Sequence, residues 1–378
     1  MKQFAICAVM TAALMSSNLS TSAQAPAPAA KKSPYLKLAE PWPDAETIAG
    51  RRTQAENRAL FKTHEPLSLV LTGDFKALAK ERNENSPKRF DATLAVGSDP
   101  AAQGIPVKLG TRGHVRLRQT TCAFPPIRVE FAAESVKGTL FDGQKNLKLV
   151  THCRDVDDFE QYILQEHAIY RIFNLVTPHS FRARLAKTTY VDSASRKPIA
   201  TRFSMFLEDD DDVARRSDWR TIDIPNAMFK DLDQDSLTLM MLFEFMVGNT
   251  DMSIMKLHNV RLMQDQARKL HPVPYDFDYS GIIETRYAVP AKQLGIVSVR
   301  DRLYRGPCRT EGDLEPLLER FRGKKTEILA LYDSIPDLKD SNRKQARQYL
   351  EEFYNIIERK DRVKKVLVDD CNKKVGGI

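Results

Sequence analysis

The sequence predicts an α+β protein with a β-rich first half and a mainly helical second half. Two observations carry that prediction. Short alternating segments such as "IRVEF" and "LKLV" crowd the chain before residue 210, and long segments of helical period dominate after residue 230. No internal repeat is visible, and 378 residues suffice for one large core or two.

Lys2 precedes the apolar run "FAICAVMTAALM", which is too short to span a bilayer as a helix, and small residues follow it. Residues 1–23 therefore read as a secretory signal. Cleavage after Ala23 fits better than after Ala25, because Pro26 would directly follow the second cut. Residues 24–45, rich in Ala, Pro and Lys, read as a disordered leader. No later stretch is apolar enough to cross a membrane, so the expected protein is exported, periplasmic or extracellular, and soluble.

"PLSLVLTG", "IRVEF", "LKLVTHC" and "TTYVD" read as strands, with a helical "DFKALAKER" after the first. Among them lies the clearest amphipathic helix, "DVDDFEQYILQEHAIYRIFNLV", capped by Asp155 or Asp157. Glu166 falls on its apolar stripe, seven residues after Phe159, and so wants a cation or sits at the stripe's margin. Lys148, Arg112, Arg128 and Arg171 are the candidate cations. Further on, "DQDSLTLMMLFEFMVGN" is apolar almost all round, capped by Asp233 or Asp235, and reads as a central helix ending at Gly248. Two more helical stretches, "EPLLERFRGKKTEILALYDSI" and "SNRKQARQYLEEFYNIIERKDRVKKVLVDD", close the chain.

The formal charge of +8 favours acidic partners in general. Basic residues are interspersed with acids and no aromatic-studded basic stripe appears, which argues against nucleic acid. Beyond Cys7 there are four cysteines, Cys122, Cys153, Cys308 and Cys371, without the close spacing of a zinc site. An even count in an exported chain points to two disulfides. Three pairings are open, and proximity along the chain favours Cys122 with Cys153 and Cys308 with Cys371. Buried free thiols are the alternative.

The decapeptide "PVPYDFDYSG" sets Asp276 and Asp278 between apolar neighbours after a strand. Either it is a turn or the two carboxylates face a cation, because unpaired buried charge is costly. The chain order brings Asp251 in "GNTD", Asn259 in "HNV" and Asp276 to the ends of neighbouring elements. Phosphoryl transfer from a nucleotide uses this set: a carboxylate to orient the attacking hydroxyl, and Asn and Asp oxygens to hold magnesium against the phosphates. Asp251 takes the first role, Asn259 and Asp276 the second, and Asp278 steadies the cluster or meets a second ion.

On "GNTD", "HNV" and "YDFD" the chain resembles the atypical protein kinases of the spore-coat CotH type, over about residues 240–281 and more loosely over 105–210. The resemblance implies a two-lobed protein-kinase-like fold, with a β-rich N-terminal lobe (46–210) and a helical C-terminal lobe (211–378). It implies that Asp251 is the catalytic acid or base and that Asn259, Asp276 and Asp278 bind Mg2+ or Mn2+. It also implies that Lys148 reaches the phosphates of ATP, with Glu166 as its helix partner, and that Glu208, in "MFLED", lies near the adenine. The group transferred is then a phosphoryl or a nucleotidyl group, and the acceptor a protein or small-molecule hydroxyl.

The sequence departs from this pattern in places. Asp251 and Asn259 are eight residues apart, Met252 stands where a basic residue is common, and no GxGxxG precedes Lys148. Gly138 and Gly143 supply either a short phosphate loop or, preferably, a hairpin turn. ATP is scarce outside the cytoplasm, so two other readings stand: a non-catalytic envelope binding protein and an unrelated metal-dependent hydrolase. Against the hydrolase, no H-E-x-x-H pair and no G-x-S-x-G elbow appears. His258 reads as a packed, hydrogen-bonded residue. The acidic run in "FLEDDDDVARR" lacks the spacing of a calcium loop and reads as a solvated loop neutralised by Arg215 and Arg216.

Overall fold

Seven of the strands close into a barrel. The computed structural model describes Ser33 and residues 35–371; the predicted signal, 1–23, lies outside the described residues. The strands are β1 (Leu67–Gly73), β2 (Phe90–Val96), β3 (Ile105–Thr111), β4 (Ile127–Phe131), β5 (Asn146–Val150), β6 (Ala183–Asp192) and β7 (Pro198–Leu207), arranged β1-β2-β3-β4-β5-β7-β6. Closure comes from a parallel pairing of β1 with β6, Leu67 opposite Ala186 through Gly73 opposite Asp192, while the other barrel ladders are antiparallel.

Alternation fixes what points inward. Val107 and Leu109 of β3, Ile127 and Val129 of β4, and Leu147 and Leu149 of β5 fill the barrel with Leu71, Tyr190 and Phe206. The same parity turns Arg128 and Lys148, Cα partners on β4 and β5, to the outer face. β4 and β5 form an antiparallel pair, and Gly138 and Gly143, both at positive φ, lie in the connection between them, which also carries the short helix Ala133–Val136.

The two-lobed kinase-like fold expected from the resemblance is overturned by this closure. Strands from residues 67–96 complete a ring, where that expectation has an N-terminal sheet. One continuous core also runs from Val150 through Ile169 and Phe173, Leu185 and Met205, to Phe243, Phe353 and Leu367. The helices thus pack on the barrel instead of forming a separate body.

Helix Asp157–Val176 lies in that core, and its N-cap is Val156, without a side-chain cap. Asp155 and Asp157, the expected caps, bind Arg202 at 2.6 and 2.9 Å instead. Helix Gln234–Val247 is buried almost throughout, capped by Asp233 and stopped by Gly248 at φ 70°, a left-handed turn that glycine adopts without penalty. Helices Glu311–Gly323, Lys325–Leu331 and Asp340–Ile357 follow, and the short Lys360–Val363 and Lys364–Asp369 come after them. A second sheet orders β10 (Leu270–Pro274), β9 (Val260–Gln264) and β8 (Arg220–Ile222). Within the predicted leader, Leu36–Ala39 is helical and Trp42 stacks under Arg220, 4.6 Å from ring centroid to guanidinium. No helix among the described residues is long and apolar enough to cross a membrane.

Candidate active site

Register builds the site. Val260 of β9 pairs with Pro274 of β10, and one step beyond, the Tyr275 N–H donates to the Asn259 carbonyl at 3.0 Å. Asn259 and Asp276 are thereby delivered side by side, both at positive φ (55° and 66°), a backbone strain that non-glycine residues keep where the surroundings hold them. The Tyr170 hydroxyl, from helix Asp157–Val176, accepts from the Asp276 N–H at 2.8 Å.

The eight-residue interval between Asp251 and Asn259 is taken up by a tight loop. Ser253 and His258 exchange backbone hydrogen bonds of 2.9 Å in both directions, which folds residues 254–257 out and returns the chain to Asp251. Asn259 Nδ2 then donates to the Asp251 carbonyl at 2.7 Å and to its Oδ2 at 3.2 Å, while His258 Nε2 lies 3.1 Å from Oδ1. That hydrogen bond and the carboxylate's charge hold the imidazole above its ordinary range. His258 is therefore hydrogen-bonded, as the sequence reading expects, but half-exposed at the site and not packed.

Asp278 is buried and accepts from the Tyr287 hydroxyl at 2.9 Å. Burial pushes its carboxyl up to about 8, and the charge of neighbouring Asp276 adds to this. Glu166, also buried, is raised well above the usual carboxylate range, first by burial and then by Asp276 and Asp278. The cation opposing this acidity is Arg116, from the loop between β3 and β4. Its Nη2 donates to the Thr151 carbonyl at 2.6 Å, and the Cys122–Cys153 disulfide ties the same loop to the segment after β5. Cys308 joins Cys371, so both pairings favoured by sequence proximity are formed.

Asp251, Asn259, Asp276 and Asp278 are thus gathered, with Glu166 behind them. Lys148 and Glu166 are not paired. Lys148 Nζ meets Asp210 at 2.6 Å, as does Arg261 Nε, and both cations lie over the Tyr275 ring, at 4.6 and 5.1 Å from its centroid. Burial lowers the Lys148 ammonium, while Lys148 and Arg261 together outweigh burial at Asp210 and keep its carboxyl below the ordinary value. Glu208 is fully buried, clamped by Arg182 at 2.6 Å and Arg216 at 2.9 Å. The acidic run is not a solvated loop. It opens helix Asp210–Arg216, Asp209 caps it, and Asp212 binds Arg58 at 2.8 Å.

Sequence reasoning missed Arg116, Asp210 and Arg261 as members of this region. Parity along β9 gives a signal for Arg261, but nothing local marks Arg116, whose position depends on the disulfide and the loop it closes.

No family model and no curated protein matches the chain. Among solved structures it is similar to the proinflammatory kinase CtkA of Helicobacter pylori, at 11% sequence identity and a TM-score of 0.37, over 65% of this chain and 91% of that one. Agreement that loose says nothing of this chain's chemistry, which rests on its own residues.

Proposed function

We propose that the chain transfers a phosphoryl group from a magnesium or manganese nucleotide, ATP by the CotH-type resemblance, to the hydroxyl of a protein or small molecule. The observation that supports this reading is the hydrogen bond from Asn259 to Asp251, together with the backbone pairing of Asn259 with Tyr275, the residue before Asp276.

Among the described residues no three His, Cys, Asp or Glu side chains form a ready metal cage. The donors proposed are fewer: Asp276, Asp278 and the amide oxygen of Asn259, whose nitrogen is committed to Asp251. That suits magnesium, which keeps several waters and phosphate oxygens in its shell. The excess of buried acid around the single Arg116 fits the same residues to a divalent cation. When bound, the ion supplies positive charge against the phosphate oxygens. Asp251, held on one oxygen by Asn259 and on the other by His258, orients the acceptor hydroxyl and takes its proton as the hydroxyl oxygen bonds to the terminal phosphorus and the bond from that phosphorus to the departing nucleoside diphosphate breaks. Lys148 contacts the phosphates. We place this activity outside the cytoplasm; the predicted signal and the two disulfides support that.

Calorimetry with magnesium nucleotide and a labelled-phosphate transfer assay test the proposal. Asp276→Ala abolishes metal-dependent nucleotide binding, and Asp251→Ala abolishes transfer with the fold intact. Wild-type behaviour in both variants sinks it. A second reading, a non-catalytic binding protein, is favoured by the absence of a Lys148–Glu166 pair; it predicts no heat with nucleotide and magnesium.

A further inference from the structure

Of the eleven methionines in the chain, Met1, Met10 and Met15 belong to the predicted signal, and four of the other eight meet at one spot. Three separate segments bring them there. Met241 comes from the central helix Gln234–Val247, Met228 from the residues that lead into the turn Phe229–Asp231, and Met252 and Met255 from the loop that separates Asp251 from Asn259. A backbone contact docks that loop on its neighbour: the Asn226 N–H donates to the Met255 carbonyl at 2.8 Å, two residues before Met228. The four side chains border a cavity of about 10 Å³, room for one atom-sized guest.

Methionine often fills irregular gaps in a core, and Met241 and Met252, 2% and 5% exposed, fit that role. The other two do not. Met228 is 46% exposed and Met255 partly exposed, so neither has a core to fill, and the cavity has an entry between them. What the four share is a polarisable thioether sulfur, a donor that selects soft Cu(I) over hard cations such as magnesium. Cys122, Cys153, Cys308 and Cys371 are all committed to disulfides, which leaves thioethers as the soft donors of the described residues. Arg305 also lines the cavity, and its charge opposes a divalent ion more than a monovalent one. Its Nη1 is held by the carbonyls of Thr250 and Met252, at 2.7 and 3.0 Å, with the carboxyl groups of Glu244 and Asp251 near it.

We propose that Met228, Met241, Met252 and Met255 bind one Cu(I) ion through their sulfurs. The site goes beyond the phosphotransfer reading and needs neither nucleotide nor magnesium. The ion enters between Met228 and Met255 and ties their two segments to the central helix. Its binding therefore braces residues 252–255, within the loop whose ends carry Asp251 and Asn259. Thioethers are neutral and take up no proton in the ordinary pH range, so affinity does not follow the titration of His258 or of the nearby carboxyl groups. Imidazole or carboxylate ligation would lose affinity as those groups protonate, and that difference separates the two kinds of site.

The test is a competition titration in which the full chain and bicinchoninate divide Cu(I), kept reduced by ascorbate under argon. A Cys7→Ser parent is used, because a free thiolate takes the ion first. The parent withholds one equivalent of copper from the chromophore, equally at pH 5.5 and pH 7.5. Met228→Leu and Met255→Leu keep the apolar volume and remove the sulfur. Each weakens binding at least tenfold and the two together at least a hundredfold, with melting temperature recorded to show that the fold is kept. Met263→Leu, at a methionine outside the cavity, leaves the affinity unchanged. Copper-edge X-ray absorption finds sulfur as the main neighbour of the ion. No copper withheld by the parent, or variants at both Met228 and Met255 that bind equally well, overturns the proposal. So does binding that disappears at pH 5.5, or a copper shell of nitrogen and oxygen, either of which places the ion at His258 and Asp251 instead.

Discussion

His258 Nε2 lies 3.1 Å from Asp251 Oδ1, and this contact joins the two ends of the loop that separates Asp251 from Asn259. The pair has a measurable signature. The imidazole titrates above its ordinary value of 6.5 because Asp251 favours the charged ring. Histidine NMR titration shows the raised value, and Asp251→Asn returns it towards 6.5. The sign for stability follows from a folded value above the unfolded one. The contribution is complete below 6.5 and is lost as pH rises through the folded value. A His258 that titrates normally in wild type contradicts the contact.

Arg116 is the cation set against Glu166, Asp276 and Asp278. Its removal leaves buried acids without compensation, which costs about 3 kcal/mol in typical cases. Arg116→Met is therefore expected to lower the free energy of unfolding by that order. Glu166→Gln in the same chain restores part of the loss, because it withdraws one of the uncompensated groups. A double-mutant cycle by urea unfolding reads the coupling. Additive losses show that the two residues do not interact.

Glu244, on helix Gln234–Val247, is buried beside Asn249 and Arg305. Burial pushes it from 4.5 up to about 8, and Asp251 adds to the rise. Below 4.5 both folded and unfolded chains hold this proton. Between 4.5 and about 8 the unfolded chain sheds it while the folded one keeps it, so stability falls as pH rises across that window. At about 1.4 kcal/mol per pH unit of separation, the penalty reaches a few kcal/mol. Glu244→Gln flattens the dependence of melting temperature on pH from 5 to 8.5 and gains most at the upper end. An unchanged slope refutes the assignment.

Local chemistry made parts of this legible from the sequence. The Asp233 cap and the Gly248 stop of the central helix follow from residue type, and the disulfides from cysteine spacing. Asp251, Asn259 and Asp276 were readable as neighbours because β9 and β10 are sequential strands joined by a short turn. Closure of the barrel was not readable, since it depends on a parallel pairing between segments as distant as 67–73 and 186–192. The partners of Lys148 were misread for a related reason. The acids that compete for it lie in a run whose fate depends on where helix Asp210–Arg216 docks, and sequence alone favoured Glu166 on the neighbouring amphipathic helix.

The Cys122–Cys153 disulfide bears on the site through the loop that carries Arg116. That loop is also held by Arg82, which donates to the carbonyls of Leu117, Cys122 and Ala123, and by Arg154, which donates to those of Thr120 and Thr121. Removing the crosslink with Cys122→Ala and Cys153→Ala together costs about 2–4 kcal/mol of stability, with the arginine contacts retaining the loop's course in the folded state. The acidic cluster then feels the change through greater freedom of Arg116, not through its loss. The double variant is expected to melt lower yet keep the Arg116–Glu166 coupling measured by the cycle above. If that coupling vanishes with the disulfide, the crosslink itself positions Arg116, and the arginine anchors are not sufficient.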